Sequence, residues 1–184
     1  MFIVTLQTFD PKGGGSSTAV DASKVNSKTI TAQGMTITEA FSNAALNQGK
    51  EIFYGHNKLL VIGKEAAEKG IWPIANFLNS HYDFRPNVDM AISTTKASDI
   101  VAAEMEDGIL PAISIQTMLM NAEENGRLYR GYFFDVIKAM EEENTSACIP
   151  LLEISGEGKE KSVGAVGTAV LKSDKYDTEL DEDA

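Results

Sequence analysis

Cysteine and histidine are scarce in this sequence: among 184 residues there are one cysteine, Cys148, and two histidines, His56 and His81. A single cysteine cannot form an internal disulfide, so cysteine usage does not distinguish an oxidising compartment from a reducing one. Neither histidine lies in an H-E-x-x-H or G-x-S-x-G motif, and a lone cysteine does not readily complete a zinc site. With so few bases and ligands, the sequence predicts a protein that is not an enzyme and holds no metal or cofactor.

Cys148 follows Thr145-Ser146-Ala147, which superficially resembles a lipoprotein cleavage site. Residues 138–143, just before it, contain three glutamates and no apolar signal region. We therefore interpret Cys148 as a small buried hydrophobic residue and not as a lipidated one.

Long hydrophobic runs and basic clusters are also missing. No run reaches 18 apolar residues, so the sequence predicts no segment that spans a bilayer. The 27 acidic residues outnumber the 16 basic ones and give a net charge of -11. Nucleic acid is therefore not an expected partner, and the negative field opposes direct binding to an anionic membrane surface.

The composition is that of a globular protein, with 43% hydrophobic and 23% charged residues. The length suits a single domain, which we place at residues 1–172. Residues 173–184 contain six acids and one lysine. This stretch is predicted to be a solvated or disordered acidic tail, or the start of a truncated following domain.

The first half begins with a predicted hairpin. Residues 2–9 alternate in polarity like a half-buried strand, and a second strand pattern at 28–32 stops at Gly34. The glycine-rich loop between them, at 10–17, matches no phosphate-binding motif and is interpreted as a linker. Thr36 and Glu39 form a capping-box pattern that predicts an amphipathic helix ending at Gly49.

The remaining patterns alternate between strands and helices. The apolar end of residues 51–62 predicts a central strand that contains His56, and Lys64–Lys69 is expected to be a short helix capped by Gly70. Pro73 suits the first turn of another helix. Further predicted elements are a strand at 88–93, helical stripes beginning at Ala97, Ile115 and Phe133, and strands at 147–154 and 162–172. This order predicts an α+β fold, in which helices pack on a mixed β-sheet of about five to six strands.

Several of these segments together resemble one family. Residues 56–71 are similar to the H-x-K-x-x-x-I-G-x-x-x-A-x-x-G-I pattern of Ger(x)C spore germination proteins. Residues 34–40 resemble the G-x-T-x-x-E-A stretch that precedes it. Further similar segments, in the family's order, are Asn76-Phe77-Leu78 followed by Arg85, Ala97–Val101, Ile149–Leu151 and Gly167–Lys172. The resemblance covers residues 3–176, which corresponds to the family's amino-terminal domain.

The chain also departs from the family pattern. A signal peptide, a lipidated cysteine and a W-D-x-x-E segment are expected before the first strand, and further domains are expected after about residue 180. The sequence instead opens on the strand pattern at Phe2, as an excised domain would. Leu171 stands where the family has phenylalanine.

The resemblance implies a non-catalytic domain of a lipoprotein subunit of a spore nutrient germinant receptor. The implied partners are the two membrane-integrated subunits of the same receptor, and the implied location is the outer face of the spore inner membrane, held by a lipid anchor. The domain would contribute to receptor assembly or germination signalling. His56, Asn57 and Arg85 are the candidate structural or contact residues; His56 has Tyr54 and Asn57 as neighbouring hydrogen-bond partners.

A small-ligand, or nutrient, binding module is the alternative. In that case a deep apolar pocket is expected at the carboxyl edge of the sheet, near Gly63 or Ser93. The assembly hypothesis instead predicts a shallow surface with exposed apolar residues.

Overall fold

The computed structural model describes residues 1–9, 27–49, 51–103, 110–156 and 162–180. These ranges contain seven strands and six helices, in the order β1 (Phe2–Phe9), β2 (Ser27–Gly34), α1 (Ile37–Gln48), β3 (Leu59–Gly63), α2 (Lys64–Lys69), α3 (Trp72–Ser80), β4 (Asp89–Ser93), α4 (Ala97–Val101), α5 (Pro111–Glu124), α6 (Phe133–Glu141), β5 (Ser146–Ser155), β6 (Ser162–Lys172) and β7 (Lys175–Leu180). The longest of these helices, α5, has 14 residues and rises about 21 Å. None of the helices in the described ranges could cross a bilayer.

Five strands form one mixed sheet, in the order β3-β4-β5-β6-β7. The first three run parallel, and the last three run antiparallel to one another. β1 and β2 form a separate antiparallel hairpin. The α+β fold with a mixed sheet is therefore confirmed. The glycine-rich linker predicted at 10–17 lies outside the described residues.

The predicted cap of α1 is present with one difference from the standard box. The Thr36 hydroxyl accepts a hydrogen bond from the Glu39 N–H at 3.1 Å. The Glu39 carboxylate accepts from the Met35 N–H at 2.7 Å, one residue earlier than in a standard capping box. Gly49 ends the helix in the left-handed conformation, at φ 69°. The apolar face of α1 then packs on the β1–β2 hairpin.

The five-stranded sheet lies between two layers of helices, and β4 is buried at every position. Met90 and Ile92 belong to the larger core, which also contains apolar residues of α1, α3 and α6. Ala91 points to the opposite face, where it packs with Ile100, Ile115 and Leu119 of α4 and α5. Alternate residues of one strand thus hold both layers in place.

The prediction of a central strand over 51–62 is wrong. β3 begins only at Leu59, has β4 as its single partner among the described strands, and leaves His56 in an exposed turn. Leu60 and Ile62 pack against one core, whereas Leu59 and Val61 pack against the other. An edge strand that is covered on both faces has the same apolar run as a central one, so the run alone did not reveal its place.

Part of the stretch predicted as a solvated or disordered tail, or as the start of a following domain, forms a strand, and residues 181–184 lie outside the described ranges. Ser173, at φ 56°, lies in a tight turn, and Lys175–Leu180 forms β7 against β6. Tyr176 packs on the larger core, and the Lys64 ammonium lies 2.9 Å from the Glu179 carboxylate. Most side chains of β7 are exposed, which is why its composition resembled that of a tail. The domain boundary at residue 172 stays a prediction.

Two smaller predictions also need adjustment. Cys148 lies in β5 as a free cysteine and is half-buried, not fully buried as predicted. The helical stripe that begins at Ala97 ends at Val101, after which only residues 102 and 103 are described before the gap. The stripes beginning at Ile115 and Phe133 fall within α5 and α6, as predicted.

Candidate functional site

The loops that lead into β3 and β4 meet at one end of the sheet, because these adjacent strands are parallel. A third segment, just before α6, joins them and forms a bridge between Tyr132 and Asp89. We call the surface formed by residues 53–58, 82–86 and 130–134 the amino-edge surface. It contains all three site residues predicted from the sequence.

A buried ion pair holds this end of the molecule together. Asp89, the first residue of β4, is only 1% exposed. Its carboxylate accepts two hydrogen bonds from Arg130, from Nε at 2.5 Å and from Nη2 at 3.0 Å. The Gln116 side-chain amide donates to the same carboxylate and also to the Lys58 carbonyl, at 3.0 Å. The Asp89 carboxylate thus joins β4 directly to Arg130 and to α5, and the Gln116 side chain extends the connection to the loop at Lys58.

The Asp89 carboxylate raises the pKa of the Arg130 guanidinium, chiefly through their hydrogen bonds. Two charges taken from water lose hydration that their mutual attraction offsets only when the geometry is good. Here the fork of the guanidinium meets both carboxylate oxygens. Removal of one partner would leave the other buried and unpaired, so the pair fixes the arrangement of the loops.

Backbone hydrogen bonds extend this connection. The Met90 N–H donates to the Gly131 carbonyl, and the Phe133 N–H donates to the Val88 carbonyl, both at 3.0 Å. The Phe134 N–H donates to the Pro86 carbonyl at 2.8 Å. Residues 130–132 therefore lie alongside the start of β4 like a short additional strand, and α6 begins at the next residue.

Gly131 is required for that close approach. A Cβ atom at this position would lie 2.5 Å from the Cys148 carbonyl oxygen and 2.5 Å from Cδ1 of Ile149. Real Cβ atoms do not approach backbone oxygens so closely, and the carbonyl belongs to β5. Any larger residue would push the segment away from the sheet.

Aromatic side chains pack beneath the loop at 53–58. Tyr54 makes edge contacts with the rings of Phe41 and His81, at centroid distances of 5.6 and 5.5 Å. The Tyr54 N–H donates to Oδ2 of Asp83 at 2.8 Å. Burial of the phenol, together with the nearby Asp83 charge, raises the pKa of Tyr54 to about 12. Oδ1 of Asp83 has no hydrogen-bond partner among the described residues and lies 3.8 Å from Nδ1 of His81.

Three large aromatic side chains of the amino-edge surface are exposed. Phe53 is 61% exposed, Tyr82 is 92% exposed and Phe134 is 56% exposed. The Phe53 ring packs edge-on against the His56 ring, with centroids 5.3 Å apart. Single exposed apolar residues are ordinary, but three on loops tied together by hydrogen bonds indicate a surface that another molecule can cover.

His56, Asn57 and Arg85 are all exposed. His56 and Asn57 follow Tyr54 in a turn that is closed by a hydrogen bond from the Asn57 N–H to the Tyr54 carbonyl, at 2.9 Å. Arg85 lies in the loop before β4, between Phe84, whose ring packs against that of Phe133, and Pro86. The structure thus brings the three residues to one surface; their role as contact residues stays a prediction.

Sequence reasoning missed Asp89, Arg130 and Gln116. A signal was present, since Asp89 interrupts the apolar run at 88–93, and a buried acid needs a partner. Its partners could not be read from local patterns, because Gln116 and Arg130 lie 27 and 41 residues away.

The carboxyl edge of the parallel strands looks different from the amino edge. Ser93 is fully buried, and its hydroxyl accepts a hydrogen bond from the Thr95 N–H at 3.2 Å. Two depressions in the described part of the chain lie elsewhere, and neither is lined by Gly63 or Ser93. One has a volume of roughly 200 Å³ and is lined by residues including Tyr129, Lys138 and Cys148. This volume is below the ~300 Å³ at which small-molecule sites usually begin. The other has a volume of roughly 530 Å³ and is lined by Asn121, Ala122, Asn125 and Arg127, of which all but Ala122 are exposed polar residues. It therefore lacks the apolar lining of a typical small-molecule site.

Comparison with known proteins places these features in a family. A family model described as "Spore germination protein N-terminal domain" matches residues 1–154. "Spore germination protein KC" of Bacillus subtilis (strain 168) is 25% identical over 189 residues, which covers 94% of this chain and 45% of that protein. A solved structure titled "Crystal Structure of the GerBC protein" matches with 14% identity and a TM-score of 0.46, over 98% of this chain and 48% of that one.

The chain thus spans a little under half the length of each of these two relatives. The family model ends at residue 154, one residue before the end of β5. β6 follows that point in sequence and pairs with β5 along the length of β5. Because the model covers most of the chain, the resemblance to Ger(x)C proteins is confirmed: this protein belongs to the spore germination protein family, and residues 1–154 match its amino-terminal domain.

Proposed function

We propose that the chain is a non-catalytic domain of a lipoprotein subunit of a spore nutrient germinant receptor. In this proposal the domain contributes to receptor assembly or germination signalling. The observation that supports it best is the amino-edge surface, where a buried ion pair lies beneath exposed Phe53 and Tyr82 on loops and exposed Phe134 in the first turn of α6. A surface of this kind suits binding to another protein.

The chemistry of the surface supports binding in preference to catalysis. The Asp89 carboxylate is buried, and both of its oxygens accept hydrogen bonds from Arg130 or Gln116. Such a group can neither reach a substrate nor exchange protons with it. The Asp83 side chain is likewise only 7% exposed. The acids of this region position loops and leave the exposed side chains to make contacts.

The proposed partners are the two membrane-integrated subunits of the same receptor. The proposed location is the outer face of the spore inner membrane, to which a lipid anchor would attach the intact subunit. A single acyl chain gives only marginal and reversible membrane binding. Contacts between this domain and a membrane-integrated subunit would therefore strengthen the attachment.

A nutrient-binding module is supported less well. It requires a concave and largely apolar site. The depression beside Cys148 has a volume of only roughly 200 Å³, and the depression of roughly 530 Å³ beside Asn121 is lined mainly by exposed polar residues. Buried Ser93 occupies the carboxyl edge, where an open-sheet ligand site is expected.

A pull-down tests the proposal. The chain is immobilised beside an unrelated domain of matched net charge, and each is exposed to detergent-solubilised spore membranes. Mass spectrometry should recover the membrane-integrated receptor subunits on this chain alone. Recovery of neither subunit, together with a rise in the melting temperature on addition of an amino acid or a sugar, would overturn the proposal in favour of a nutrient-binding module.

A further inference from the structure

The amino-edge surface differs in charge from the rest of the molecule. Its exposed charged side chains, Lys58 and Arg85, are both basic, and its one acid, Asp83, has a buried side chain. The whole chain, in contrast, carries a net charge of -11. A basic and aromatic surface is therefore set within a strongly acidic protein.

We infer that the amino-edge surface binds an acidic segment of a partner protein, one that also carries apolar side chains. This inference rests on the proposed function, because the partner would be a subunit of the same receptor. Acidic side chains would pair with Lys58 and Arg85, while apolar side chains would cover Phe53, Tyr82 and Phe134. Tyrosine and arginine are the residue types that most often dominate the binding energy of protein interfaces.

The framework beneath the surface favours such binding. An interface loses affinity when flexible loops must be ordered on association. Here the three segments are already joined by the Asp89–Arg130 pair, by the Phe134–Pro86 hydrogen bond and by the hydrogen bond from Tyr54 to Asp83. The exposed rings are thus presented on loops whose backbone is largely fixed before the partner arrives.

A lipid surface fits the same residues less well. Aromatic and basic side chains do occur together at membrane interfaces. However, each basic residue near an anionic bilayer contributes only about 1 kcal/mol. The attraction of two exposed cations to the lipids would be opposed by repulsion between the anionic lipids and a chain whose net charge is -11. An acidic protein segment, in contrast, can contact the amino-edge surface without bringing the acidic remainder of this chain close to an anionic membrane.

Matched variants test the inference. Tyr82→Ala removes an exposed ring, and Arg85→Glu reverses a charge on the surface. Trp72→Ala is the control for the ring, since Trp72 is 55% exposed and begins α3 beyond the other end of β3. Lys172→Glu is the control for charge, because it changes the net charge equally at an exposed position on β6. Circular dichroism is used to check that each variant remains folded.

Binding to the detergent-solubilised membrane subunits is then titrated. Tyr82→Ala and Arg85→Glu should each weaken binding about fivefold or more, as expected for interface anchors, whereas the two controls should match the unchanged chain. Arg85→Lys should retain most of the binding, because it keeps the charge. Added salt should weaken the unchanged chain more than Arg85→Glu.

The outcomes separate the inference from the proposed function. If the unchanged chain binds no receptor subunit, both fail. If it binds and the surface variants bind as well as their controls, only the surface assignment is overturned. Sedimentation with vesicles of phosphatidylglycerol and phosphatidylethanolamine forms the second arm: binding there that is lost in Tyr82→Ala would show a lipid surface as the occupant and overturn the acidic protein segment.

Discussion

The two ends of strand β4 differ sharply in chemistry, although the strand has only five residues. At the amino end, Asp89 is buried with a charged partner and organises loops that display exposed aromatic rings. At the carboxyl end, Ser93 is buried and hydrogen-bonds the backbone N–H and the hydroxyl of nearby Thr95. The amino end thus carries exposed side chains above a buried ion pair, whereas the carboxyl end is buried.

This difference qualifies a common rule for placing sites. In open parallel sheets, ligands bind outside the carboxyl ends of the strands. Among the described strands, only β3, β4 and β5 are parallel, and β5 is followed by the antiparallel β6 and β7. The mixed sheet therefore lacks the row of carboxyl-end loops on which the rule depends. The candidate surface lies instead at the amino edge.

The largest expected effect is that of Asp89→Ala, which removes the group that joins the amino-edge loops. Arg130 and Gln116 would be left without their shared acceptor. Loss of one partner from a buried ion pair costs about 3–5 kcal/mol in the free energy of unfolding. Urea denaturation checks this, with the exposed Asp99→Ala as the control. A loss no larger than that of the control would mean that the pair does not hold this edge together.

Gly131→Ala tests the close approach of the 130–134 segment to β5. The new methyl group would meet the Cys148 carbonyl and Ile149, so the segment must shift. Overpacking of this kind costs about 1–3 kcal/mol. Gly164→Ala is the matched control, since no atom lies within 4 Å of its added Cβ. Equal unfolding midpoints for the two variants would contradict the proposed fit.

Ser93→Ala probes the opposite end of the same strand. It removes a hydrogen bond from the Thr95 N–H to a neutral hydroxyl, which contributes about 0.5–1.5 kcal/mol to stability. We therefore expect a smaller loss of stability than for Asp89→Ala. Should Ser93→Ala prove as damaging as Asp89→Ala in urea denaturation, the contrast between the two ends would disappear.

The smallest effect concerns pH at the amino edge. Burial and Asp83 raise the pKa of Tyr54 to about 12, above the usual value of 10.0. The folded state therefore favours the neutral phenol, and the corresponding contribution to stability is complete below pH 10 and is lost as pH rises towards 12. In an absorbance titration at alkaline pH, Tyr54→Phe should remove a late-ionising component. Removal of a component near pH 10 would show that Tyr54 is not buried in this way.

Local patterns predicted much of the fold. The capping residues Thr36 and Glu39, and the alternation in residues 2–9, depend on neighbours close in sequence, and the corresponding helix and hairpin are confirmed. The place of β3 could not be predicted, because an edge strand covered on both faces has the same composition as a central one. β7 was missed because its exposed acids gave no apolar period.

Only exposed residues of the candidate site were predicted from the sequence. His56, Asn57 and Arg85 were singled out through the family resemblance, and they do lie on the amino-edge surface. The ion pair that supports the surface was not predicted, because Asp89 and Arg130 are separated by 41 residues and meet only where the segment before α6 pairs with the start of β4. Long-range polar pairs depend on topology, which a local pattern does not contain.

Hydrogen–deuterium exchange tests the central claim most directly, by comparing the chain alone with the chain bound to detergent-solubilised membrane subunits of the receptor. We expect binding to protect backbone amides in the loops at 53–58 and 82–86, and to leave the segments that follow Gly63 and Ser93 unchanged. Protection confined to the segments after Gly63 and Ser93, or protection there on addition of a free amino acid, would contradict the account and place the functional site at the carboxyl edge.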